Sequence, residues 1–408
     1  MRILVDQSGY DLLNMGDVAA LKSCVSRLQL QWPDAEIMVI THAPGRLAIY
    51  CPGTIPIGPT FANRPSFRFV PRKPRLIFEQ AWKMGAPYFS GRFGAPRIAR
   101  GRPRTAIQAL HAADLFVASG GGYVTDTWWW HAVGVLSLMS LAQRLGKPTA
   151  MFGQGVGPIG QRRLRVQAKA VMPRLAVLSL REDRIGRDLT LELGIPPSVV
   201  TMTGDDALEL TRGSSVADGK ALGANLRVSG YAGVDSIAAA AVTDLMLEAA
   251  DTLDAPIVAL PVSRYPVDAD VVALRALLRG KQSSTDVVLD DLETPEALIS
   301  AAANCRAIVT GSYHAAVFGL AQGVPAVCLT KSVYYDAKFW GLQALFPEAC
   351  FVVSLDAPDY AARLRTTILQ AWELPAPARA AAMEAAARLG DAGREAYAQF
   401  RVAVENRR

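Results

Sequence analysis

The chain has 408 residues, 51% of them apolar and 20% charged, and a net charge of +6. That length exceeds one ordinary hydrophobic core and divides naturally into two domains. The five cysteines (Cys24, Cys51, Cys305, Cys328, Cys350) share no short spacing, which argues against a zinc site or disulfide framework and fits a reducing compartment.

In chain order, residues 3–6 read as a first β-strand rather than a signal peptide, and no apolar run reaches membrane-span length. A soluble, cytoplasmic protein is therefore expected. Asn14-Met15-Gly16-Asp17 follows that strand and opens a helix over 17–31. Gly16 permits a tight turn, while Asp17 suits either a helix cap or a contact to a substrate hydroxyl. A second strand covers 35–40.

The stretch from Phe61 to Arg104 holds eleven basic residues against the single acid Glu79, interleaved with eight aromatic side chains such as Phe67, Trp82 and Phe93. This mixture suits an anionic surface: lipid headgroups at the inner face of a membrane, or a diphosphate-linked acceptor. It equally describes a solvated insertion between core elements. No nucleic-acid motif accompanies it, so a nucleic-acid partner is not expected.

Further strands at 114–118, 148–152, 176–180 and 199–203 alternate with helices at 127–144, 161–175 and 185–193. Apolar strands joined by helices indicate a parallel sheet covered on both faces. Two glycine-rich runs sit at strand ends. Ser119-Gly120-Gly121-Gly122 and Gly153-Gln154-Gly155-Val156-Gly157-Pro158 suit close backbone approach to a ligand, or simply a turn. Neither is a Walker loop, since no Gly-Lys-Ser/Thr follows.

The polar segment 211–220 reads as a linker. Beyond it, strands at 221–226, 256–261, 285–289, 307–309, 326–329 and 351–354 alternate with helices at 235–252, 268–278, 295–305 and 358–372, and an alanine-rich tail from 375 reads as one long helix. The expected fold is α/β: two doubly wound, Rossmann-like domains (1–212 and 221–374) facing a central cleft, with a C-terminal helix over 375–408. Ligands of such sheets bind outside the carboxyl ends of the strands.

In Gly311-Ser312-Tyr313-His314 a histidine stands at the start of a helix. Free amides and a partial positive charge suit an anion there, which makes His314 either an acid/base group or a loop-bonding histidine.

These motifs occur together in a telling order: Asn-x-Gly-Asp, the triple glycine, Gly-Gln-Gly-Val-Gly-Pro, Ser179-Leu180-Arg181-Glu182-Asp183, Gly204-Asp205-Asp206-Ala207, Gly223-Ala224-Asn225-Leu226-Arg227 and the His314 segment. From about Asn14 to Lys338 the chain resembles the polysaccharide pyruvyl transferase family. The resemblance implies a GT-B-like fold and transfer of a pyruvyl group from phosphoenolpyruvate to a sugar or lipid-linked saccharide of a cell-envelope or exopolysaccharide. It implies His314 and Asp17 as catalytic groups. Donor binding would fall to Arg227, Gly311, Ser312, Tyr313, Lys331 and Lys338, and substrate binding to Asn14, Gly16, Gly120, Gly121, Gly122, Gln154, Gly155 and Arg181. No metal or cofactor is demanded, and Asp205-Asp206 reads as a capped turn.

One departure concerns the donor. The family carries arginine two residues before the histidine, where this chain has Ser312, and a serine cannot hold a carboxylate in the bidentate manner of a guanidinium. Arg264, Lys331 and Arg306 are candidate substitutes from the second domain. The alternatives are a nucleotide-sugar donor on the same fold, or a non-catalytic scaffold of polysaccharide assembly.

Overall fold

The computed structural model describes residues 1–59, 105–182, 184–213, 219–266, 269–279 and 292–407. The basic aromatic stretch 61–104, residues 214–218 of the expected linker and the expected strand at 285–289 lie outside the described residues.

The N-terminal unit is built on an eight-stranded sheet ordered β3-β2-β1-β4-β6-β7-β8, with β5 paired to β6. The strands are β1 (Arg2–Asp6), β2 (Glu36–Ile40), β3 (Ile55–Ile57), β4 (Leu115–Ala118), β5 (Gly121–Val124), β6 (Thr149–Val156), β7 (Val177–Leu180) and β8 (Val200–Met202). All their pairings are parallel. Its helices are α1 (Met15–Gln31), α2 (Pro44–Tyr50), α3 (Ala106–Ala112), α4 (Trp129–Arg144), α5 (Arg162–Val171) and α6 (Gly186–Glu192). Every residue of β4 and β6 is buried, as expected for parallel strands covered on both faces.

The C-terminal unit carries a parallel five-stranded sheet ordered β10-β9-β11-β12-β13. These are β9 (Ala221–Asn225), β10 (Ile257–Ala259), β11 (Cys305–Thr310), β12 (Ala326–Thr330) and β13 (Cys350–Ser354). Around it lie α7 (Ser236–Thr252), α8 (Asp270–Arg279), α9 (Pro295–Ala303), α10 (Tyr313–Leu320), α11 (Val333–Leu345) and α12 (Tyr360–Trp372). Side-chain caps fix several helix starts: Asn14 for α1, Asp235 for α7, Thr294 for α9 and Ser332 for α11.

Three boundaries differ from the sequence expectation, each for a physical reason. The helix expected to reach 305 stops at Ala303, because Cys305 and Arg306 already belong to β11 and its ladder with β9. The strand expected to end at 152 runs on to Val156, so Gln154 and Gly155 lie inside the sheet, where β5 and β7 flank them. Gly121 and Gly122 are likewise strand residues of β5, not a free loop.

The tail forms α13 (Ala376–Glu405), which crosses back to the N-terminal unit. There Tyr397 stacks on Phe152 with centroids 3.7 Å apart, and its hydroxyl donates to buried Asp206 at 2.8 Å. Arg27 of α1 reaches the other Asp206 oxygen at 2.7 Å and Glu209 at 2.7 Å. Asp205 caps the short helical turn that follows it, so the Asp205-Asp206 pair is a capped turn as expected. One apolar cluster joins the two units: Val18, Leu21 and Leu28 of α1 pack with Leu298, Ile299 and Ala302 of α9 and with Tyr397 and Phe400 of α13. The carboxyl ends of both sheets thereby face each other across a closed cleft.

Candidate functional site

The cleft is narrowest where the starts of α1 and α10 meet. A Cβ added to Gly16 would come within 1.9 Å of His314 Cγ and Nδ1, so only glycine admits the histidine there. On its other side, His314 Nε2 lies 3.5 Å from Asp205 Oδ2 of the N-terminal unit. The start of α10 thus presents its histidine to the opposite unit, and His314 is only 7% exposed.

Asp205 is fixed from two further directions. Its Oδ1 accepts from the Ala207 amide at 2.8 Å, and its Oδ2 lies 3.2 Å from Arg181 Nη1. Burial alone would raise the Asp205 carboxyl, yet the facing His314 and Arg181 hold it well below the ordinary carboxylate range. It remains an anion that faces the imidazole.

Arg181 follows the end of β7 and is 1% exposed. Its Nε pairs with Glu182 at 2.7 Å, and its guanidinium covers the Tyr313 ring at 4.2 Å. The Tyr313 hydroxyl reaches Glu182 at 3.5 Å. Arg181 Nη2, also buried, has no hydrogen-bond partner among the described residues. It points at Gly122, where a Cβ would stand 2.4 Å from it and 2.6 Å from Lys338 Nζ. Two basic side chains from different units therefore converge above one unsubstituted Cα.

Lys338 projects from α11 into this corner. Its amine donates to the Tyr334 hydroxyl and lies 3.9 Å from the Tyr334 ring centre. Burial, reinforced by Arg181, pushes the Lys338 ammonium well below its usual range, while Glu182 and Asp17 oppose that shift. The Tyr334 hydroxyl donates to the Gly122 carbonyl at 3.0 Å and accepts from Trp128 Nε1 at 3.1 Å.

The remaining expected site residues divide clearly. Asp17, half-buried at the start of α1, faces the same cleft, near Gly9 and Tyr265. Asn14 is the α1 cap, and its backbone bridges to Ser263 of the other unit. Gly120 packs on Ala20 and the Gly153 carbonyl, and Gly121 on Ser8. Gln154 is fully buried and donates to the Ser119 carbonyl at 2.7 Å and the Tyr123 hydroxyl at 3.1 Å, which locks the glycine turn from inside. Gly155 makes room for Glu182, whose Oε1 would meet a Cβ at 2.4 Å. Gly311 packs on the Arg227 backbone, and buried Ser312 donates its amide to Thr310 Oγ1 at 2.8 Å.

Arg227 does not present a clamp. It is buried and held by Asp270, with Nε 2.8 Å from Oδ1 and Nη2 3.0 Å from Oδ2. Asp270 in turn accepts the Val262 and Ser263 amides, so this pair fixes the loop that meets Asn14. The candidate substitutes for the missing arginine are also engaged: Arg264 with Glu293 at 3.1 Å, and Arg306 with the Trp372 carbonyl at 3.1 Å. Lys331, half-buried after β12, lies beside Asp235, whose carboxylate it helps to keep low. The small apolar cavity beside Arg227, lined by Leu226, Val234, Val242 and Leu355, offers little polar chemistry. Among the described residues no group of three or more His, Cys, Asp or Glu side chains is arranged to hold a metal ion.

Asp205, Glu182, Tyr334 and Trp128 join the site without having been singled out for it. Asp205 and Glu182 stand inside motifs named above without a site role, whereas Tyr334 and Trp128 carry no sequence signal beyond being aromatic.

Two parallel-sheet units closing on a shared cleft, with a terminal helix returning to the first, define the GT-B class of transferases and epimerases. Solved structures bear this out. The chain is similar to a Listeria monocytogenes protein assigned as a UDP-N-acetylglucosamine 2-epimerase (TM-score 0.58, 12% identity, covering 96% of this chain and 93% of that one). It is similar to the UDP-GlcNAc 2-epimerase of Neisseria meningitidis bound to UDP-GlcNAc (TM-score 0.54, 12% identity, 98% and 99% covered). Arabidopsis thaliana UGT89C1 complexed with quercetin is a third (TM-score 0.55, 12% identity, 100% and 99% covered). At such identities the likeness is one of fold. Among curated proteins none matches the chain. Residues 14–332 match the family described as polysaccharide pyruvyl transferase, and the chain belongs to that family. Among the described residues no helix is long and apolar enough to cross a membrane.

Proposed function

We propose that this protein transfers a pyruvyl group from phosphoenolpyruvate to two hydroxyls of a saccharide, giving a pyruvate ketal and inorganic phosphate. The observation that carries the proposal is the convergence of Arg181 Nη2 and Lys338 Nζ above Gly122. Phosphoenolpyruvate bears a carboxylate and a phosphate, and an unpaired guanidinium nitrogen beside a lysine amine that gains a proton as the anion binds suits one of these groups. The two side chains do what an arginine at Ser312 would do, from a different direction.

In this scheme His314, held against the Asp205 carboxylate, delivers a proton to the methylene carbon of the donor. The cationic centre that forms at C2 is attacked by the first saccharide hydroxyl, whose proton passes to Asp17. Cleavage of the C2–O bond releases phosphate, which takes the proton held on Asp17, and the second hydroxyl closes the ketal as its proton returns to His314. Because His314 and Asp205 belong to different units and touch in the closed cleft, the units must part for substrates to enter. The acceptor belongs to a polysaccharide or its lipid-linked precursor.

Calorimetric titration with phosphoenolpyruvate, and separately with UDP, tests the donor. Saturable phosphoenolpyruvate binding that weakens in Lys338→Met supports the scheme. Binding of UDP without phosphoenolpyruvate would sink it in favour of a nucleotide-sugar donor.

A further inference from the structure

The run Trp128-Trp129-Trp130 stands at the start of α4, just beyond the carboxyl end of β5. Successive helical residues point about 100° apart, so three consecutive indoles cannot all face one core. All three remain partly exposed. Trp128 and Trp129 lean on the apolar core of the N-terminal unit, while Trp130 packs edge-to-face with Trp128 at 5.9 Å and with His131 at 5.8 Å. Trp128 also crosses the cleft, meeting Tyr231 edge-on at 5.3 Å and donating to the Tyr334 hydroxyl at 3.1 Å. That hydroxyl bonds the Gly122 carbonyl and receives Lys338. An aromatic surface therefore begins one side chain away from the pair of cations.

We propose that Trp128 and Trp130 form the stacking surface for the acceptor saccharide, an inference that rests on the reading of the acceptor as a sugar. A pyranose has an apolar C–H face and a polar rim. An indole offers a flat, rigid surface with an electron-rich face at low entropic cost, and it keeps a polar N–H for orientation. The two tryptophans carry no formal charge, which suits a neutral sugar ring better than an anionic headgroup. The carboxylate of Asp17, close enough to Lys338 and Tyr334 to influence both, provides an acceptor for a sugar hydroxyl at the inner end of the surface. The ring would lie with its hydroxyls directed toward the donor corner.

Saturation-transfer NMR with methyl glucopyranoside, galactopyranoside and mannopyranoside tests this on wild type, Trp130→Ala and Trp130→Phe. Transfer to the C–H protons of at least one glycoside is expected in wild type, reduced about tenfold in Trp130→Ala and largely kept in Trp130→Phe. Calorimetric binding of phosphoenolpyruvate should be alike in all three proteins. Equal transfer in wild type and Trp130→Ala overturns the proposal. So does the absence of transfer from every glycoside, or vesicles of phosphatidylglycerol and phosphatidylcholine that bind through Trp130 while the glycosides do not. Glycoside stacking without phosphoenolpyruvate binding would leave the platform standing and remove only the donor assignment.

Discussion

Gly122→Ala separates the donor site from the fold. The new Cβ would stand 2.4 Å from Arg181 Nη2, 2.6 Å from Lys338 Nζ and 2.8 Å from Lys338 Cε. Each of these is near the tip of a side chain rather than backbone, so the chain accommodates the methyl by turning the tips aside. Gly122 also has no left-handed backbone to lose. Because Glu182, Asp205 and the Tyr313 ring hold the Arg181 guanidinium, the displacement should cost about 1–3 kcal/mol of stability, within what a folded domain can bear. The cations, however, leave the point where they converge. Losing one charge-assisted hydrogen bond to an anion costs about 1.5–3 kcal/mol, or roughly 10- to 150-fold in Kd. Calorimetry with phosphoenolpyruvate and a thermal melt, run beside Gly45→Ala, read both quantities. Position 45 has open space around it, so that control should bind normally. A folded Gly122→Ala protein with wild-type affinity would refute the assignment of this corner as the anion site.

Asp205→Asn removes the carboxylate that faces His314 and should lower turnover about 100-fold or more, with phosphoenolpyruvate still bound; unchanged kcat would deny Asp205 any hold on the acid. Lys338, held low by burial and by Arg181, should take up a proton when an anion binds, so affinity falls as pH rises through the window between its free and bound values. Titrations in buffers of different ionisation enthalpy detect that proton, and Lys338→Met should abolish it. Asp6, raised by burial to about 7 despite its bonds from Tyr10 and Gln7, binds its proton more tightly folded than unfolded. Stability should therefore decline as pH rises from about 4 to 7 and level off above, and Asp6→Asn should flatten that slope in urea unfolding at several pH values. Tyr397→Phe keeps the stack on Phe152 but loses the hydroxyl bonded to Asp206, so the urea midpoint should fall by the equivalent of about 1–3 kcal/mol; no shift would show that α13 is held by packing alone.

The layers of the fold were legible because apolar strands of parallel sheets alternate with capped helices, and each such signal is local. Pro295 opens a helix in the sequence as it does in space, whereas the cap of α1 is Asn14, not the Asp17 that the sequence offered, because the helix starts two residues earlier at Met15. Glycine motifs showed where chain segments approach closely but not what approaches them. Gly16 reads as a turn residue, yet its smallness serves His314 from the opposite unit. Arg227 reads as a clamp for a carboxylate or phosphate, and only the three-dimensional fold shows that it is paired with Asp270. Asp205 looked like a cap and is one, while its second oxygen serves His314. Such double duty follows from long-range pairing, which no local pattern encodes. Likewise, the extension of β6 through Gln154 depends on β5 and β7 lying alongside it.

The central claim is that phosphoenolpyruvate is the donor and a saccharide hydroxyl pair the acceptor. The most direct measurement incubates the protein with 13C-methylene phosphoenolpyruvate and a lipid-linked or free saccharide panel, and follows phosphate release and the 13C signal together by NMR. The account predicts saccharide-dependent conversion of the methylene carbon to a ketal methyl, with one phosphate released per ketal and no conversion in His314→Ala. A methylene signal that persists with every saccharide, while the same protein consumes a UDP-sugar, would contradict it.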